Sequence, residues 1–84
     1  MNERVFRVVA QVMGVPAESI NQDSSPDNVK SWDSLKQLNL VLALEEEFEV
    51  QFSQQQILEM LSVALVVEVL KEALNSGHIQ ASNL

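Results

Sequence analysis

Near the N-terminus, Val5, Phe6, Val9, Val12 and Met13 fall at i, i+1, i+4, i+7 and i+8, the spacing of one buried helix face, and no strand elsewhere has a partner. The run Val63 to Leu70 is β-branched enough to suit a strand. With nothing to pair against, it reads as helix, and Val66, Val69, Leu70 and Ala73 then share a face. The chain is therefore expected to be all-α.

Gly14 and Pro16 end the first helix, which Asn2 can cap and whose positive end Glu3 complements. Residues 14–33 are then rich in Ser, Asp, Asn and Pro, with the turn formers Asp23-Ser24-Ser25-Pro26-Asp27-Asn28 at their centre. A connection of about 20 residues is long for so small a domain and implies anchoring or function. Ile20, Val29 and Trp32 are the expected anchors, Trp32 by simple packing. A second helix should open at Asp33 or Ser34 and run to about Glu49, with Asp33 accepting a hydrogen bond from the first turn. Ser53 opens a short third helix over Gln54 to Glu59. Ser62 caps a fourth, from Val63 to Asn75, with Gly77 just past its end. Together these give a four-helix up-down bundle with a long first loop and a short third helix. Its expected core is Phe6, Val9, Val12, Ile20, Leu40, Val41, Leu44, Phe48, Met60, Val66, Val69 and Leu70.

Composition removes several functions. Eighty-four residues suffice for one compact domain. Twelve acidic residues against five basic ones, a net charge of -7, argue against nucleic acid and anionic membranes and favour partners with basic surfaces. Without cysteine there is no thiolate metal site, and the Asp-rich loop lacks the glycine and ligand spacing of an EF-hand, so no metal is expected. The one histidine, His78, falls in the C-terminal tail, and no glycine-rich phosphate loop exists, so no catalytic residue is assigned. Met1-Asn2-Glu3-Arg4 lacks the basic-then-apolar order of a signal peptide, and no apolar run approaches spanning length. A monomeric cytoplasmic protein is the expectation.

The second helix carries two apolar stripes. Leu40, Val41, Leu44 and Phe48 form one. Leu35, Leu38 and Leu42 form the other, roughly 140° away at about 100° per residue. The stripe with Phe48 is the better core candidate, because a large aromatic gains most from burial. The other begins beside Ser34 and runs on past Glu45 to Glu49. An apolar stripe edged with acids suits docking to a basic partner, yet both stripes could equally be buried between neighbouring helices.

Trp32-Asp33-Ser34-Leu35, followed by Leu38, Leu42 and Ala43-Leu44-Glu45-Glu46-Glu47-Phe48, resembles the acyl carrier protein family. There an Asp-Ser-Leu triplet opens the second helix and a similar acidic string closes it. The likeness covers roughly residues 2–76, implying a carrier domain over residues 1–77; the tail after Gly77, residues 78–84, is expected to be frayed as chain ends commonly are. It implies that Ser34, flanked by Asp33 and Leu35, bears 4′-phosphopantetheine installed from coenzyme A by a phosphopantetheinyl transferase. The arm's thiol would hold acyl intermediates as thioesters, so that a cysteine-free, non-catalytic chain takes part in thiol chemistry. Acyl-loading and acyl-transferring enzymes with basic docking surfaces would then meet Leu35, Leu38, Leu42, Glu45 and Glu49.

The chain departs from the family pattern at named positions. Lys36 and Asn39 stand where housekeeping fatty-acid carriers are commonly acidic, and Ser31-Trp32 replaces the usual Gly-Ala before Asp-Ser. The glycine-rich motif of peptidyl carriers is absent. The resemblance therefore points to a specialised stand-alone carrier for a polyketide, lipid or other secondary product. Alternative readings are an aminoacyl carrier, or a helical interaction module without a prosthetic group.

Overall fold

A computed structural model describes the backbone of residues 2–82 and the side chains of residues 2–75. Among the described residues four α-helices follow one another: α1 (Asn2–Met13), α2 (Ser34–Phe48), α3 (Gln54–Leu58) and α4 (Val63–Ser82), with a 3-10 turn at Ala17–Ser19. No strand occurs among the described residues, so the run Val63 to Leu70 is helix.

The helix ends follow local chemistry. Gly14 takes φ 73° after α1, and the Ala10 carbonyl accepts from the N–H groups of Gly14 (2.9 Å) and Val15 (3.0 Å). This is the left-handed ending that glycine adopts without steric cost. Glu49 ends α2 with the same hydrogen-bond pattern, its N–H and that of Val50 both meeting the Glu45 carbonyl, but at φ 55° with a full side chain. Ser53 and Gln56 form a reciprocal capping box on α3. Asn2, expected to cap α1 from outside, is instead its first helical residue, a one-position shift of the kind helix ends commonly show. At the other extreme α4 does not stop near Asn75 but continues to Ser82. A single glycine costs a helix about 1 kcal/mol relative to alanine, too little by itself to end one.

The long loop is tied to both neighbours. Ser24 is buried, and its Oγ accepts from the Asn21 N–H at 3.0 Å. The Ser24 and Gln22 carbonyls accept from the first-turn N–H groups of Val63 (2.9 Å) and Ala64 (3.1 Å), and Ser62 Oγ accepts from Leu65 (3.2 Å). The otherwise orphaned donors of α4 thus find partners. Ile20 and Trp32 are buried and Val29 half-buried, the expected anchors. Ser31 Oγ donates to the Met13 carbonyl at 2.8 Å, fastening the end of the loop to the end of α1.

The core lies between α1, α2 and α4. Val9, Ile20, Leu40, Val41, Leu44, Met60, Val66, Val69 and Leu70 are buried as expected. Phe6, Val12 and Phe48 are only half-buried, a correction to the expected core. Phe48 is the last residue of α2 and sits at the rim, where the Arg4 guanidinium lies 4.5 Å over its ring. Arg4 also reaches Glu47 through Nη2 to Oε2 at 3.0 Å. A guanidinium covers the aromatic in place of further core. Val5, Ala10, Met13, Trp32, Phe52, Val63, Val67 and Ala73 complete the buried set.

Candidate functional site

The start of α2 is held from three sides. Asp33 is extended (φ -110°, ψ -171°), and its carboxylate accepts from the Lys36 N–H at 2.9 Å, the cap expected of an Asp at this position. The Asp33 carbonyl accepts from the Gln37 N–H at 2.8 Å. Before it, the buried Trp32 donates its indole Nε1–H to Gln37 Oε1 at 2.7 Å. Gln37 in turn donates to the Met60 carbonyl at 3.4 Å, bridging α2 to the connection between α3 and α4.

Ser34 follows as the first helical residue and is exposed. Among the described residues no group hydrogen-bonds its Oγ. The N–H groups of Ser34 and Leu35 likewise have no protein acceptor among the described residues. These are the free donors of a helix N-terminus, where an anion is favoured. Beside Ser34 opens a cleft of about 400 Å³ bounded by Pro26, Trp32, Ile57, Leu58, Met60 and Leu61, with Gln37 also on its wall. The arrangement offers an accessible hydroxyl, an anion-favouring helix end and apolar ground next to both.

The two stripes of α2 part company. Leu40, Val41 and Leu44 are buried, whereas Leu35, Leu38 and Leu42 are 65%, 54% and 56% exposed. The reading in which both stripes are buried is thereby removed. Of the two acids expected along the outer stripe, Glu49 is exposed. Glu45 is half-buried, and its Oε2 accepts from the Phe52 N–H at 2.9 Å, so its carboxylate also pins the chain leaving α2. Both residues line a bowl of about 760 Å³ together with Glu59 and Glu72, at the end of α2 away from Ser34. Sequence reasoning missed Gln37 and Met60 as supports of the site. The Gln37 bridge joins a side chain to a carbonyl 23 positions away, which no periodicity announces.

The site is thus an exposed serine at a capped helix start on a small acidic bundle. A family model described as the phosphopantetheine attachment site matches residues 3–70, and the chain belongs to that family. The solution structure of the holo acyl carrier protein from Geobacter metallireducens matches with a TM-score of 0.79, covering 90% of this chain and 87% of that one at 18% identity. The fold is thus that of an acyl carrier protein. The chain is a carrier protein for covalently bound 4′-phosphopantetheine, and carriers of this kind interact with a phosphopantetheinyl transferase and with biosynthetic enzymes.

Proposed function

We propose that Ser34 is the attachment residue and that the chain shuttles acyl intermediates between the enzymes of a specialised biosynthetic pathway. The observation that carries this is the exposed Ser34 hydroxyl, directly after the Asp33 cap and inside the matched segment. When bound, the group supplies a terminal thiol that holds an acyl chain as a thioester.

The residues around Ser34 fit a phosphodiester there. The unpartnered N–H groups of Ser34 and Leu35 lie at the positive end of α2, where a negative charge gains about 0.3–1 kcal/mol. Asp33 and the Trp32–Gln37 pair keep that end rigid, and its position at the surface leaves the hydroxyl open to a modifying enzyme. Leu35, Leu38 and Leu42 extend from the attachment point as the face an enzyme meets when it receives the arm. Glu49 adds negative charge at the far end, which speeds encounter with a basic surface without demanding a tight complex. Lys36 places a cation two residues after Ser34, which suits partners unlike those of housekeeping fatty-acid synthesis.

Incubation with coenzyme A and a broad-specificity transferase should add one phosphopantetheine to the intact mass, and Ser34→Ala should abolish the gain while leaving the helical signal unchanged. An unmodified wild type, with several transferases shown to be active on other carriers, would remove the proposal.

A further inference from the structure

A second apolar surface adjoins the Ser34 cleft and is separate from the outer stripe of α2. Leu58 ends α3, Leu61 lies in the connection and Leu65 is in the first turns of α4. They are 67%, 65% and 42% exposed. With the buried Val69 as floor they line a groove of about 400 Å³ rimmed by Glu59, Glu68 and Glu72. Leu65, Glu68, Val69 and Glu72 stand at i, i+3, i+4 and i+7 of α4, so the groove follows the helix axis for two turns. Leu58 and Leu61 also border the cleft beside Ser34, which joins groove and cleft into one apolar tract. Leu35, Leu38 and Leu42 line neither.

The charges at the rim say what would cover it. Glu72 accepts from Gln56 Nε2 at 3.1 Å and Glu59 from Gln55 Nε2 at 3.4 Å, both neutral amides. The ion pair among the described residues is Arg4–Glu47, so none of these three carboxylates meets a cation there. No lysine or arginine lines the groove. An axial groove with an apolar floor and acids on its rim complements a helix with aliphatic residues on one face and Lys or Arg flanking them.

We propose that the α3–α4 groove is a second docking surface, which takes a basic amphipathic helix of a partner protein. With the outer stripe of α2 it gives two separate apolar surfaces near the attachment point, so partners of different shape can approach the same arm. This inference does not depend on the residue that bears the prosthetic group.

The test uses the full chain, isotope-labelled, titrated with a synthetic peptide of about 18 residues, five helical turns, with Leu on one face and Lys on the other. A second peptide carries Glu in place of Lys. Amide shifts at Leu58, Leu61, Leu65, Glu68 and Glu72 should move with the Lys peptide, less so in high salt, and stay still with the Glu peptide. Glu68→Lys with Glu72→Lys should weaken binding about ten-fold, the scale expected from losing two rim charge contacts. Glu3→Lys with Glu18→Lys changes net charge equally at exposed sites outside the groove and should leave affinity within about two-fold. Shifts confined to α2, or an equal loss in both double variants, would overturn the proposal.

Discussion

The two leucine stripes of α2 are made of the same residue types on the same helix, yet one is at the centre of the molecule and the other is at its surface. Leu40 and Leu44 are fully buried in the core that α2 shares with α1 and α4, while Leu35, Leu38 and Leu42 keep more than half of their surface in water. Hydrophobicity therefore does not decide which face folds inward; the number of neighbouring helices does. A second buried stripe would need a further long helix to cover it, and α3 spans only Gln54–Leu58. What is left outside is an apolar strip that starts at an exposed serine, the form a transient contact surface takes.

The contrast can be broken first from the inside. Leu44→Ala removes a fully buried side chain and should cost about 2–5 kcal/mol in urea melts, the range of large-to-small core changes. Next comes the rim. Arg4→Ala removes the contact over Phe48 and the half-exposed pair with Glu47, and should cost at most about 1 kcal/mol because solvent screens both. Phe48→Ala should fall between these two, and a loss equal to that of Leu44→Ala would place Phe48 in the core proper. Glu49→Gly should raise stability by roughly 0.5 kcal/mol, since it relieves a left-handed side chain and removes an acid from a helix C-terminus. The same change should weaken docking to the cognate enzyme and lessen its salt dependence. Gain in stability with no loss of docking would show that Glu49 has no part in recognition. Leu38→Ala should change stability least, within about 0.5 kcal/mol, while still weakening docking. Equal losses at Leu38 and Leu44 would erase the distinction between the stripes.

Much of this was readable in the chain because the signals are local. Asp33 before Ser34, and Ser53 three residues before Gln56, mark helix starts through hydrogen bonds spanning three positions. Helical spacing alone marks Val5, Val9 and Met13 of α1 and Val66, Val69, Leu70 and Ala73 of α4 as buried, though it also takes in the half-buried Phe6 and Val12. The family likeness rests on Asp33-Ser34-Leu35 and the acidic string after it, both contiguous in sequence. What escaped depends on groups far apart. The Ser24 and Gln22 carbonyls that close the start of α4 are backbone atoms about 40 positions before the groups they bind, and any residue type could supply them. Phe48 departs from its expected burial because its size favours the core while its place at the end of α2 leaves it half-buried at the rim. The leucines of the α3–α4 groove carry no signal until the two elements meet, since each belongs to a different segment. The outer stripe of α2 was ambiguous for the same reason, as periodicity defines a face but not what stands opposite.

The reading of the site comes down to one serine, and a peptide map can isolate it. Trypsin cuts after Lys30 and Lys36, releasing Ser31 to Lys36 with two serines in one fragment. Ser31 is half-buried and its hydroxyl is engaged with the Met13 carbonyl, whereas Ser34 is exposed with its hydroxyl free of protein partners among the described residues. After treatment with coenzyme A and a transferase, fragmentation of that peptide should place the phosphopantetheine on Ser34 alone. Its appearance on Ser31, or on a serine in any other fragment, would contradict the assignment of the start of α2 as the attachment site.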